Sequence, residues 1–244
     1  MYYCSGFMTF LLFITTQRKW GFILRKICRS RTAQLIYQSM FCGVGIIGIL
    51  ASLGLFHGSF RWDFYLYFTN LSNYLCIGIM FAELVQTAKR KSDDYVSTAP
   101  RIKFVAIMGI MLTFFVFNFL LAGNSSEVFS VNSIILHVIL PLAFTIDWLL
   151  FYEHGKVKIS NTFISMIFPL SYVGYVYLHA LILGFNTSII NWIGSRPLIY
   201  PYFFLDVQQI GVIGVAQWIL TLTVCFAVFS LIFTVLDRLL KKIA

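Results

Sequence analysis

The chain has 244 residues, of which 59% are hydrophobic and 11% charged, and it carries a formal net charge of +9. A soluble domain of this length needs a polar shell that this composition cannot supply, and the mean hydropathy of +0.85 points to a bilayer. The basic residues flank apolar runs without forming a continuous stripe, which argues against nucleic acid as a partner and for anionic lipid headgroups.

Residues 1–16 contain the apolar run Met8 to Ile14, too short to span and preceded by no positive charge. The absence of a small-residue cleavage site argues against a signal peptide, and an interfacial segment anchored by Trp20 is expected, with a marginal seventh span as the alternative. Six spans follow: Gln34–Phe56, Phe64–Thr87, Ile102–Ala122, Val131–Phe151, Thr162–Leu183 and Ile210–Leu236. Each is close to the ~20 residues that cross the hydrocarbon core as a helix, the form in which every backbone group is satisfied without water. The expected fold is an all-α, polytopic six-helix bundle. Residues 1–33 form a basic cytoplasmic or interfacial segment, 34–236 the transmembrane domain and 237–244 a cytoplasmic tail.

Orientation follows from Lys and Arg. Arg18, Lys19, Arg25, Lys26, Arg29 and Arg31 precede the first span. Lys89, Arg90, Lys91, Arg101 and Lys103 lie between the second and third, Lys156 and Lys158 between the fourth and fifth, and Arg238, Lys241 and Lys242 in the tail. Only Arg61 and Arg196 fall on the other side, so both termini are expected in the cytoplasm.

Two motifs carry no function here. Gly43-Val-Gly45-Ile-Ile-Gly48 matches a dinucleotide fingerprint, but it lies in an uncharged apolar run, where small residues such as Gly48 and Ser52 permit close helix packing. Asn124-Ser-Ser and Asn186-Thr-Ser match glycosylation acceptors and matter only in a secretory pathway. Cys4, Cys28, Cys42, Cys76 and Cys225 are scattered and odd in number, so packing is expected rather than a disulfide framework.

Strongly polar side chains inside a bilayer are functional candidates. Thr69 lies roughly 7–8 Å along its span from the outer end and His137 about 9 Å along its own, at 1.5 Å per residue. His179 approaches the same layer from the opposite direction. Asn70, Ser72 and Asn73 surround Thr69, and Tyr67, Tyr172 and Tyr175 offer further hydroxyls. Such a chamber allows an imidazole to take the proton of a hydroxyl and amides to hold an oxyanion. The structural alternative is that these groups bond their own backbone or glue helices together. His57 and His154 fall in loops. Asp147 and Glu83, near the cytoplasmic ends of their spans, are read as partners of the basic loops, with proton relay as the sharper alternative. Asp206 is placed to cap the last helix.

Phe64-Tyr-Leu-Tyr-Phe-Thr-Asn-Leu-Ser-Asn73, Leu136-His137-Val-Ile-Leu-Pro141 with Asp147-Trp148, and Tyr200-Pro201-Tyr-Phe-Phe-Leu-Asp206 resemble motifs of bacterial predicted six-span membrane proteins. That group is similar to the animal androgen-induced and androgen-dependent six-helix proteins, threonine hydrolases of fatty-acid esters of hydroxy fatty acids. The resemblance implies Thr69 and His137 as the catalytic pair and a bacterial plasma membrane as the location. The run after Thr69 is more polar than in the animal enzymes, which makes Ser72 a rival hydroxyl.

The leading expectation is an intramembrane hydrolase of lipid-like esters. Thr69 and His137 are catalytic, and Asn70, Asn73, Ser72, His179 and Tyr172 form the polar pocket. No cofactor or metal is expected, and membrane lipids and a lipid-like substrate are the partners. The alternatives are a non-enzymatic binding or transport protein for a small amphiphile, and a structural membrane subunit.

Overall fold

The computed structural model describes residues 30–58, 60–91, 99–124, 130–185 and 198–243. The interfacial segment at residues 1–16, Cys4, Cys28 and Asn186 lie outside them. All regular structure among the described residues is helical, and six helices are long and apolar enough to cross a membrane. They are α1 Arg31–Ser52, α2 Phe68–Lys89, α3 Pro100–Leu121, α4 Val131–Phe151, α5 Ser160–Phe185 and α6 Val207–Ile243. The chain is a multi-pass integral membrane protein of the all-α class.

Local chemistry sets the helix ends. Ser30 caps α1, its hydroxyl accepting from the Ala33 amide at 3.3 Å. α1 stops at Ser52, short of the expected Phe56, because Gly54 turns left-handed with φ 77°. α2 starts at Phe68, where hydropathy suggests Phe64, since Trp62–Tyr65 wind as a 3₁₀ turn. Asp206 caps α6 as expected, with Oδ1 accepting from the amides of Gln208 at 2.8 Å and Gln209 at 3.1 Å. Gly211, at φ 71° and ψ 168°, then breaks α6 near its start.

α1 and α2 run antiparallel. Arg31 donates to the carbonyls of Thr87 at 2.9 Å and Ala88 at 2.7 Å, and so closes the last turn of α2. Toward the other end Ser52 and Tyr74 approach at 3.4 Å. A Cβ on Gly45 would sit 2.7 Å from the Ile77 side chain, and one on Gly48 would sit 2.9 Å from Ile135. Those two glycines therefore serve close packing, the use expected of small residues where lipid removes any hydrophobic drive between helices. Cys42 and Cys76 are buried packing residues, while Cys225 is exposed.

α3 is central and packs on α2, α4, α5 and α6. Its buried side chains, among them Phe104, Ile107, Met108 and Ile110, join Cys76, Met80, Phe144 and Trp148 in the main core. A second cluster holds Leu66, Phe68, Tyr172, Val176, Phe204 and Leu205. Large apolar side chains such as Phe119, Val212 and Ile213 are exposed on the perimeter, the surface that lipid covers.

Lys103 corrects one sequence expectation. It is not a loop cation: its ammonium is fully buried, 2.6 Å from Glu83 Oε2 on α2 and 2.5 Å from Asp147 Oδ2 on α4. Glu83 and Asp147 thus pair with a lysine as expected, but inside the bundle. At the same end Asp237 of α6 accepts from the amides of Gly155 and Val157, both at 2.9 Å. His154 Nδ1 lies 3.1 Å from Asp237 Oδ1. The imidazole that carries no signal in the sequence therefore ties the α4–α5 connection to α6.

Candidate functional site

The site begins with a defect in α4. Residues Ile135–Ile139 form a π-turn, in which the Leu140 amide reaches back to the Ile135 carbonyl. Pro141 follows and supplies no N–H. The carbonyls of Leu136 and His137 consequently lose their helical donors, and an unpaired carbonyl at this depth is costly. Two asparagines from neighbouring helices fill the gap. Asn73 of α2 donates to the Leu136 carbonyl at 3.1 Å, and Asn118 of α3 to the His137 carbonyl at 3.3 Å. Asn73 also donates to the Thr69 carbonyl at 2.8 Å, and Asn118 to that of Phe114 at 2.7 Å. Asn118 sits in a second π-turn, Phe117–Leu121.

The π-turn aims the His137 ring at α2. Nδ1 lies 2.9 Å from the Ser133 carbonyl and 3.3 Å from the Ser133 hydroxyl. A carbonyl only accepts, so Nδ1 carries the proton and Nε2 presents a lone pair. That lone pair faces Thr69 Oγ1 at 3.3 Å, with the threonine hydroxyl as donor. Phe117 stacks on the imidazole, with ring centroids 3.5 Å apart and planes 11° apart, which restricts its rotation. The helix that holds His137 is itself anchored where Ser130 caps it through the Ser133 amide at 3.2 Å.

Thr69 lies in the first turn of α2 and opens onto two spaces. One is a cavity of about 550 Å³ bordered by Arg61, Asn70, Asn132, Ser133, His137 and Tyr202. The other is a narrow crevice of about 80 Å³ between α3, α5 and α6, walled by Phe68, Leu112, Met166, Leu222 and Phe226. Thr69, Phe117, Leu121 and Tyr202 border both.

Of the residues expected to form the pocket, Thr69 and His137 meet, and Asn70 borders the cavity while donating to the Phe64 carbonyl at 2.7 Å. Ser72, Asn73 and His179 do not border either space, and Tyr172 borders only the crevice. Ser72 is fully buried against Thr113 at 2.8 Å and donates to the Thr69 carbonyl at 3.0 Å, so its hydroxyl does not meet the imidazole. Asn73 repairs backbone and is committed to carbonyls. Tyr172 borders the apolar crevice and donates to the Leu66 carbonyl at 2.8 Å. His179 borders neither space; its Nε2 lies 3.1 Å from the Tyr65 hydroxyl. Equal depth placed His179 in the right layer but on a different side of the bundle.

Sequence reasoning missed Ser133, Asn118, Phe117 and Tyr202. Ser133 precedes His137 by one turn, a spacing legible in hindsight. Tyr202 comes from the segment before α6 and borders both spaces together with Thr69. Burial raises this phenol above the ordinary tyrosine value, an effect that the neighbouring polar groups of Thr69, Phe68 and Tyr172 only partly offset. Burial, followed by the nearby Asp63 carboxylate, pushes Tyr67 up to about 12. Both phenols keep their protons at neutral pH. The described residues contain no cluster of three His, Cys, Asp or Glu suited to a metal.

Comparison with family models, with curated proteins and with solved structures returns no match.

Proposed function

We propose that the protein is a membrane-embedded hydrolase of lipid-like esters, with Thr69 as nucleophile and His137 as general base and then acid. One observation carries this reading: the unprotonated Nε2 of His137 faces the Thr69 hydroxyl at 3.3 Å while Nδ1 is fixed by Ser133. An oriented base beside a hydroxyl is the arrangement that activates a weak nucleophile. Thr69 Oγ1 bonds to the ester carbonyl carbon as its proton passes to Nε2. The tetrahedral intermediate collapses, the carbon–alkoxy bond breaks, and the imidazolium protonates the departing alcohol. Water, deprotonated by the same nitrogen, then cleaves the acyl-threonine and returns the hydroxyl. General-base assistance of this kind contributes about 10²–10⁴-fold.

The substrate class is supported by the two spaces that meet at Thr69. A polar cavity and an apolar crevice suit an amphiphile whose ester lies at the junction. The membrane we propose is a bacterial plasma membrane with both chain ends in the cytoplasm, supported by the resemblance described above and by the asymmetry of Lys and Arg. In that orientation the pair lies in the outer half of the bundle, and substrate enters sideways from the outer leaflet. The same cavity would serve a protein that binds an amphiphile without cleaving it, and turnover separates the two readings.

The test compares wild type with Thr69→Ala and His137→Ala, each shown to be folded, for fluorophosphonate labelling and for hydrolysis of a branched fatty-acid ester. Both signals should vanish in both variants. Hydrolysis that survives either substitution excludes the pair.

A further inference from the structure

The two spaces that meet at Thr69 differ in one respect that bears on the reaction. His137 borders the polar cavity and forms no part of the wall of the apolar crevice. The imidazole delivers a proton to the departing alcohol and takes one from the incoming water, so both must stand on its side of Thr69. The acyl chain, bonded to the same carbon, is left the other direction. That direction is the crevice.

The crevice has a floor. In their cytoplasmic halves α5 and α6 are closed by hydroxyls: Thr162 Oγ1 lies 3.3 Å from Thr234 Oγ1, and Ser165 Oγ 3.2 Å from Ser230 Oγ. All four residues are buried, and small side chains of this kind let two helices approach closely. Met166 follows Ser165 directly, and Phe226 lies one turn before Ser230; these two form the inner end of the crevice. Further out its wall includes Pro169, which leaves the Ser165 carbonyl without its helical donor, and Thr223. The α6 wall from Ile219 to Phe226 is about 10 Å long at the helical rise. An extended alkyl chain advances about 1.25 Å per carbon, which gives room for about eight carbons. Leu170 borders the crevice and is 44% exposed, so its side is open to the bilayer.

We infer that the crevice receives the acyl chain of the ester and the polar cavity its alcohol, with Met166 and Phe226 limiting the acyl chain to about eight carbons. This assignment rests on the hydrolase reading and narrows its substrate to unbranched, medium-chain acyl esters of a polar alcohol. A chain that arrives from lipid gains little by leaving other alkyl chains. Length is therefore read by exclusion at the floor and not by hydrophobic gain. After attack the acyl group stays anchored in the crevice, while the alcohol leaves through the cavity and water follows by the same route.

The experiment uses the full chain in lipid nanodiscs, glycerol esters of straight acids from acetyl to palmitoyl, and Thr69→Ala as the zero. In wild type, kcat/KM should drop by about tenfold or more once the acyl chain outruns the floor. Thr223→Trp sets a large ring midway along the crevice and should lower cleavage of the octanoyl ester by a similar factor, with the acetyl ester within a few-fold of wild type. Met166→Ala deepens the floor and should move the limit to chains longer by about two carbons. That variant decides the matter if Thr223→Trp fails to fold. Lengthening the alcohol in place of the acyl chain should affect wild type and both variants alike. Equal losses for acetyl and octanoyl esters in Thr223→Trp, an unmoved limit in Met166→Ala, or a variant response to alcohol length overturns the assignment. Cleavage that needs Thr69 but ignores acyl length removes this assignment alone, whereas a wild type that cleaves no ester removes the hydrolase reading and the assignment with it.

Discussion

The side-chain amide of Asn118 donates at 3.3 Å to the carbonyl of His137, which Pro141 deprives of its helical donor. The imidazole is thus held from both ends of its own residue, by Ser133 at Nδ1 and by Asn118 at the backbone. If the asparagine compensates for the proline, the two substitutions must be coupled. Asn118→Leu should cost about 1–3 kcal/mol, the usual penalty of an orphaned buried carbonyl. In a Pro141→Ala background, which restores an N–H to that turn, the cost should shrink. Unfolding of the four variants in detergent measures the cycle, and an equal cost in both backgrounds would show that the asparagine acts by packing alone.

Lys103 supports a second prediction. Its ammonium and the carboxylates of Glu83 and Asp147 are all but inaccessible, at 0%, 2% and 0% exposure. Removing one member of such a group leaves buried charge uncompensated, so Lys103→Met should destabilise by about 3–5 kcal/mol. Neutralising all three with Glu83→Gln, Lys103→Met and Asp147→Asn should recover much of that loss. A triple variant no more stable than Lys103→Met would mean that packing around the lysine stem, and not its charge, is what the bundle requires.

The six spans are legible because hydropathy integrates over about 20 residues and tolerates local error. Depth is legible for a related reason, since a fixed rise per residue places Thr69 and His137 at similar levels. Azimuth is not. Ser72 and His179 satisfy the depth argument, yet Ser72 turns toward Thr113 and His179 toward Tyr65, because helix rotation is fixed by packing partners absent from a linear pattern. The π-turns at Ile135–Ile139 and Phe117–Leu121 shift azimuth further by inserting a residue into the helical repeat. Lys103 misleads because it follows Arg101 in a basic stretch, although a helix that opens at Pro100 already carries it inward. Tyr202 lies outside every span and reaches the site only because its segment folds back over α2.

Asp237 offers a test remote from the site. Its two oxygens collect the Gly155 and Val157 amides and His154 Nδ1, so one side chain organises the α4–α5 connection. Asp237→Ala removes both acceptor oxygens and leaves the two amides without a partner. The amides of residues 155 and 157 should then exchange hydrogen faster, by the factor equivalent to about 1–3 kcal/mol of local stability. Fluorophosphonate labelling at Thr69 should not change, because the latch contacts no residue of the pair. Loss of labelling would reveal coupling between the two ends of the bundle.

Orientation decides which leaflet the Thr69–His137 pair serves. Lys156 and Arg61 flank opposite ends of the bundle, and both side chains are about half exposed, at 56% and 48%. In a cysteine-free background, Arg61→Cys should react with a membrane-impermeant maleimide on intact cells, and Lys156→Cys should react only after lysis. Arg61 belongs to the wall of the polar cavity, so labelling there should also slow ester cleavage by crowding the approach to Thr69. The reverse pattern would place the cavity on the cytoplasmic side and would require substrate to arrive from the inner leaflet. It would also break the rule that Lys and Arg stay inside, against a fifteen-to-two excess once the buried Lys103 is set aside, so the labelling tests topology and substrate route together.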